Sequence, residues 1–288
     1  MNFGSILTAM VTPFDAAGNI DFEQTTNLIE YLLENGTEGL VVAGTTGESP
    51  TLTKEEKISL FKHVVKVVNR RIPVIAGTGS NNTATSISLT KEAEACGIDA
   101  VMLVVPYYNK PNQRGLFEHF ATIAKETKLP IMLYNVPGRS AIKMSGETII
   151  SLSEIENIVS VKEASGDLGQ AADIIERTSS DFTVYCGDDE TTLPMLAIGA
   201  DGVVSVTSHI IGNEMQTMVQ SYFSGRVKEA ASHHRKLLPI MNGIFTSPSP
   251  VPVKTALRMK GIDVGGVRLP LVPLTEQEEK VLQQLIEL

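Results

Sequence analysis

The sequence predicts an α/β protein, a (β/α)8 TIM barrel with a C-terminal helical extension. Short apolar, β-branched runs recur eight times, at residues 6–11, 40–43, 73–76, 100–105, 130–134, 158–161, 182–186 and 202–206. Their starts stand about 20–35 residues apart, the room needed for one strand, one crossover helix and two short loops. The runs are nearly continuous rather than alternating, as parallel strands covered on both faces should be.

Taken in order, the connecting segments carry helical signals. After the first run, Asp21…Gln24 has the form of a capping box, Thr25, Leu28, Ile29, Leu32 and Leu33 draw one apolar face, and Gly36 closes the helix. Thr53…Glu56 repeats the box ahead of Ile58, Phe61, Val64, Val65 and Val68. Gly77-Thr78-Gly79-Ser80-Asn81-Asn82 lacks the third glycine of the dinucleotide fingerprint, so it reads as a tight strand-to-loop turn, and Gly97 closes the helix behind it. The eight units end near residue 224, which sets a barrel of residues 1–224. In residues 225–288, Val227, Ala230, Ala231, His234, Leu237, Leu238, Met241 and Phe245 mark one helical face. Ser247-Pro248-Ser249-Pro250-Val251-Pro252 breaks it, and two shorter helices follow, the last capped by Thr275…Glu278. So small a piece is expected to pack on the barrel rather than fold alone.

Composition narrows the function. The 288 residues suggest two domains at about 150 each, but a closed barrel takes roughly 200–250 as one unit. With 42% hydrophobic and 20% charged residues there is material for a core. A net charge of −9 lacks the footprint of a nucleic-acid binder. No Lys or Arg precedes Lys54, and no apolar run approaches the length of a membrane span, so the expectation is a soluble, cytoplasmic protein. Cys96 and Cys186 stand far apart and read as reduced thiols. The five histidines have no metal-ligand spacing, and neither a metal nor another cofactor is expected.

In such a barrel the site lies at the C-terminal ends of the strands. Strand two runs into Gly44-Thr45-Thr46-Gly47-Glu48-Ser49, strand four into Tyr107 and Tyr108, strand five into Tyr134-Asn135 and then Arg139. Strand six ends at Lys162, strand seven at Gly187-Asp188-Asp189-Glu190, and strand eight at Val204-Ser205. A lysine held at the barrel interior must be paired or lose its charge, and an amine so tuned can form a Schiff base with a ketone. Pairing with Glu163 or snorkelling to the rim is the structural alternative. Tyr134, Thr45 and Tyr108 offer hydroxyls for the proton transfers of imine chemistry, and Arg139 is a carboxylate fork. Each is equally compatible with a structural role. The acidic run 188–190 disfavours phosphate substrates.

These residues bring a resemblance with them. Val41-Val42-Ala43-Gly44-Thr45-Thr46-Gly47-Glu48-Ser49, Pro106-Tyr107-Tyr108-Asn109-Lys110-Pro111, Leu133-Tyr134-Asn135-Val136-Pro137-Gly138-Arg139 and Val161-Lys162-Glu163-Ala164 resemble the motifs of the dihydrodipicolinate synthase family, and the likeness covers essentially the whole chain. It implies a (β/α)8 Schiff-base lyase of diaminopimelate and lysine biosynthesis that condenses pyruvate with L-aspartate 4-semialdehyde. By the same resemblance Lys162 forms the imine, and Tyr134 moves protons with Thr45 and Tyr108. Thr46, the Val204 backbone and Gly187 bind substrate, and Arg139 takes the semialdehyde carboxylate. Tyr108 completes a neighbouring subunit's site in a homotetramer made of two dimers, with a simple dimer as the alternative.

Two rivals stay open on residues alone: another pyruvate-linked aldolase such as a sialic acid lyase, and a keto-acid-binding barrel without turnover. Arg139 in its Pro-Gly-Arg setting favours the synthase over the lyase, and the nucleophile with its relay argues against a mere binder. Asp188 and Asp189 are candidates for the substrate ammonium, or else for a helix N-cap. Feedback by lysine should be weak or absent. Ser49, Leu52, Asn81 and Tyr107 match the effector cleft of sensitive relatives, but Thr85 stands where those have a glutamate, and Lys54 and Lys57 where they tend to have histidines.

Overall fold

The computed structural model describes residues 3–286. Eight parallel strands close a barrel in sequence order: β1 (Ile6–Ala9), β2 (Gly39–Val42), β3 (Val74–Gly77), β4 (Ala100–Val104), β5 (Ile131–Asn135), β6 (Ile158–Glu163), β7 (Thr183–Cys186) and β8 (Gly202–Ser205). Each expected run is a strand, with ends displaced by a residue or two. The displacement that matters is in β6, which continues past the apolar run 158–161 and beyond Lys162 to Glu163. A charged pair ends an apolar run in the sequence, yet both side chains are housed inside the protein.

Helices fill the crossovers as periodicity required. Lys54–Val68 buries Leu60, Phe61, Val64 and Val68, each worth roughly 1.5–3 kcal/mol on burial. Its Thr53–Glu56 capping box is complete. The box at Asp21 is not reciprocal. Asp21 accepts from the Gln24 amide, but its own N–H donates to Pro13 O, so Gln24 is left to accept from Asn27. Gly36 and Gly97 both close helices with φ of +81°. Gly77 ends β3 and Gly79 follows it, both where backbones pass closely rather than in a tight turn: an added Cβ would meet Ala43 O at 2.4 Å and Val104 N at 2.4 Å.

After the eighth crossover helix, Ser208–Phe223, come helices Val227–Gly243, Val251–Met259 and Glu276–Ile286. The first packs along Ser208–Phe223, and the last two pack on each other. Phe245 lies past the end of Val227–Gly243 and is exposed, so it is no part of that helix's buried face. Thr275 and Glu278 exchange the bonds of a capping box at the start of the last helix. Among the described residues no helix is long and apolar enough to cross a membrane.

Candidate active site

A cavity of about 290 Å³ opens at the C-terminal ends of the strands. Thr45, Tyr134 and Arg139 line it, with Ser49, Lys57 and Tyr107 toward one side and Gly77, Gly79 and Met102 also in its wall. The register of the sheet explains the central cluster. Tyr134 pairs with Lys162 across β5 and β6, and Lys162 pairs with Tyr185 across β6 and β7, so three chemically active side chains lie abreast.

Lys162 is 5% exposed, and its Nζ stands 4.4 Å from the centroid of the Tyr134 ring. Among the described residues no carboxylate forms an ion pair with it. Glu163 is not its partner. That carboxylate accepts from Asn135 Nδ2 at 3.0 Å, Gln170 Nε2 at 3.2 Å and the Ser165 amide at 2.7 Å. Alternation along β6 separates the two charges: neighbouring side chains leave opposite faces of a strand. Tyr185 is a phenol already spent. Its hydroxyl donates to Gly4 O at 3.0 Å and accepts from the Phe3 amide at 3.2 Å. Tyr134 is therefore the phenol that faces both the amine and the cavity.

The segment after β2 is tightly determined. Ala43 and Glu48, at its two ends, have left-handed backbones with φ of 51° and 55°. Glu48 N donates to Thr45 O at 3.0 Å, and Thr12 Oγ1 to Gly47 O at 2.7 Å. Thr45 is half-buried at the cavity and Thr46 is buried beside it. Arg139 is exposed on the single turn Pro137–Ser140 at the cavity's edge.

The remaining sequence-derived candidates lie apart from that lining. Val204 is buried in β8, paired with Leu7. Gly187 donates to Glu163 O at 2.7 Å, and a Cβ on it would meet the Ala164 Cβ at 2.4 Å, so only glycine fits. Tyr108 is 88% exposed with φ of 73° and does not reach the cavity of its own chain. Asp189 has a bracing role. It is buried, and its Oδ2 accepts from the Val206 and Thr207 amides at 3.0 and 2.9 Å and from Thr207 Oγ1 at 2.7 Å. Its Oδ2 thus secures the loop after β8. Asp188 is half-buried, and burial pushes its carboxyl above the usual range while the Lys162 charge pulls it back. Among the described residues no group of three or more His, Cys, Asp or Glu is placed to hold a metal ion.

Two functional neighbours escaped the sequence reading. Ser140, beside Arg139, lines the cavity. Glu48, inside a recognised motif, is 2% exposed and pairs with Lys254. Lys254 was detectable only as a lone cation within the apolar run 251–257.

The sequence pattern of the dihydrodipicolinate synthetase family matches residues 2–288. The chain is 62% identical over 287 residues to 4-hydroxy-tetrahydrodipicolinate synthase 2 of Halalkalibacterium halodurans, covering 100% of this chain and 98% of that protein. It is 61% identical over 287 residues to the 4-hydroxy-tetrahydrodipicolinate synthase of Bacillus subtilis, covering 99% of each. Among solved structures, a dihydrodipicolinate synthase of Bacillus anthracis superimposes with a TM-score of 0.98 at 59% identity, over 100% of this chain and 98% of that one. That of Cyanidioschyzon merolae with lysine bound gives 0.97 at 46%, over 99% and 97%.

Proposed function

This chain belongs to the dihydrodipicolinate synthetase family, and we propose a route by which its own residues perform the reaction of that family. The reaction is a Schiff-base condensation of pyruvate with L-aspartate 4-semialdehyde to 4-hydroxy-tetrahydrodipicolinate, a step toward diaminopimelate and lysine. One observation carries the assignment of residues: a buried lysine in β6, without a carboxylate partner, beside a tyrosine that opens on the cavity.

The Lys162 amine adds to the pyruvate ketone, and water leaves to give an imine. Loss of a methyl proton converts it to an enamine, with the imine nitrogen as electron sink. The enamine carbon attacks the semialdehyde carbonyl. The amino group of that intermediate then displaces Lys162, closing the ring and freeing the enzyme. Tyr134 passes the protons, with Thr45 next in the relay. Thr46, the Val204 backbone and Gly187 hold the pyruvate moiety, and Arg139 receives the semialdehyde carboxylate as a charge-assisted fork. Borohydride added with pyruvate should leave a reduced adduct on the peptide containing Lys162; an adduct on another lysine, or none, sinks this route.

Tyr108 enters the scheme through a second subunit. Its exposure and its absence from the lining of its own cavity suit a side chain delivered to a neighbour, within a dimer or a tetramer of two dimers. Mixing inactive Tyr108→Phe and Lys162→Ala subunits should then regain activity in mixed dimers. Demonstrated exchange without regained activity would exclude the shared site. The scheme also carries a cytoplasmic location, in keeping with two cysteines left as free thiols.

A further inference from the structure

The segment bearing Thr45 and Thr46 is held from outside by a part of the chain that adds nothing to the cavity lining. Glu48 and Lys254 are both about 2% exposed, and Glu48 Oε1 lies 2.8 Å from Lys254 Nζ. Lys254, on helix Val251–Met259, also donates to Gly266 O at 2.7 Å and stands 4.2 Å from the centroid of the Phe14 ring. The other oxygen, Glu48 Oε2, accepts from the Arg268 amide at 2.9 Å. The Arg268 side chain reaches around the same loop to Thr51 O at 2.7 Å, Gly18 O at 2.9 Å and the Glu56 carboxylate. Both carboxylate oxygens of Glu48 thus face the extension, Oε1 the Lys254 ammonium and Oε2 the Arg268 amide.

Two physical arguments give the arrangement a purpose. A buried ion pair is poor value as a source of stability, since well-packed apolar side chains in its place are often as stable or more so. What directed charges add is one geometry rather than many. A residue with a left-handed backbone and a Cβ, as at Glu48, persists only where its surroundings over-determine it. Here the surroundings are Lys254 and Arg268, about two hundred residues further along the chain.

We propose that Glu48 and Lys254 are positioning residues for the condensation: through them the C-terminal extension fixes the loop that presents Thr45 and Thr46 to the substrate. This rests on the roles proposed above for those threonines.

The test compares Glu48→Gln, Lys254→Met, Lys254→Arg and the double variant Glu48→Gln/Lys254→Met. Melting temperature, kcat, the KM for pyruvate and borohydride trapping are followed for each. Either of the first two single variants should lower kcat/KM for pyruvate about tenfold to a hundredfold well below its melting temperature, the penalty of a catalytic group displaced by about an ångström. Lys254→Arg should recover part of that loss. The double variant, with no unpaired buried charge, should regain most of the melting temperature but not kcat/KM. It also carries the test should the single variants fail to fold. A folded double variant with wild-type kcat and KM would overturn the proposal, leaving the pair a structural tie. Failure of the wild-type protein to give an adduct at Lys162 would instead remove the reading of the whole site, and this proposal with it.

Discussion

Two lysines of this chain are almost equally buried, Lys162 at 5% exposure in β6 and Lys254 at 2% in the C-terminal extension. Their settings differ in one respect. Lys254 meets a carboxylate, a backbone carbonyl and an aromatic face, so every demand of an ammonium is answered. Burial still pulls its pKa down to about 8, opposed by Glu48. Lys162 has the aromatic face but, among the described residues, no carboxylate in contact, and the ring beside it, Tyr134, lines the cavity. Burial by itself therefore does not mark a reactive amine. A buried lysine whose bonds are met is a fastener, and one left without an anion beside an open space is available for covalent chemistry.

Replacement of each lysine by alanine is the most direct way to break that contrast. Lys162→Ala should lower the condensation rate at least about a thousandfold and abolish trapping, with little change in melting temperature. Lys254→Ala should instead cost about 3–5 kcal/mol of stability, because Glu48 is stranded as a buried charge. Steady-state rates and denaturant melts of the two proteins check both halves; a reversed pattern ends the distinction. Tyr134→Phe sharpens it by keeping the ring next to Lys162 and deleting only the hydroxyl. If the hydroxyl moves protons, kcat should drop by about a hundredfold to ten-thousandfold. If the ring contact is all that matters, the rate should hold.

A third buried group shows what burial does to a side chain whose bonds require the uncharged form. His209 is fully buried, Nε2 accepting from the Val11 amide at 3.2 Å and Nδ1–H donating to Val206 O at 2.8 Å, which requires the neutral ring. Burial lowers its pKa to about 4 from 6.5. The unfolded chain thus takes up this proton first on acidification. The stabilisation is whole above pH 6.5 and is lost as pH falls toward 4, on the order of 3 kcal/mol in all. Unfolding free energies between those limits should slope less steeply in His209→Gln, and an unchanged slope would exclude the assignment. His119, also lowered to about 4, titrates in the same window and leaves a residual slope.

The smallest expected effect concerns two more exposed lysines, both on helix Lys54–Val68. Lys54 is already engaged with Glu92 and Ser88 at 3.1 Å each, while Lys57 is half-buried on the cavity wall. Thr85 is exposed and presents no carboxylate to an incoming ammonium. Titration of the condensation rate with L-lysine at saturating pyruvate should show half-inhibition only above about a millimolar, where binding is worth roughly 4 kcal/mol. Tighter inhibition would mean that the remaining cleft residues suffice.

The strand runs, their spacing and the helical periods between them determined the barrel, because continuous apolar runs and a 3.6-residue period are local properties that tertiary contacts seldom reverse. They also put Lys162, Tyr134 and Thr45 at one end, since barrel geometry assigns every strand terminus to a face. What the sequence left open was who answers whose charge. Whether Lys162 or Asn135 would hold Glu163, whether Asp189 would face a ligand or brace the loop after β8, and where Lys254 would find an anion were all unreadable. Those partners lie from 18 to about two hundred positions apart, or on opposite faces of one strand. Hydrogen bonds and ion pairs depend on direction within a few tenths of an ångström, whereas hydrophobic burial depends on area alone. Only the closed barrel, by bringing distant loops to one rim and laying the C-terminal helices against them, decided which polar groups would meet.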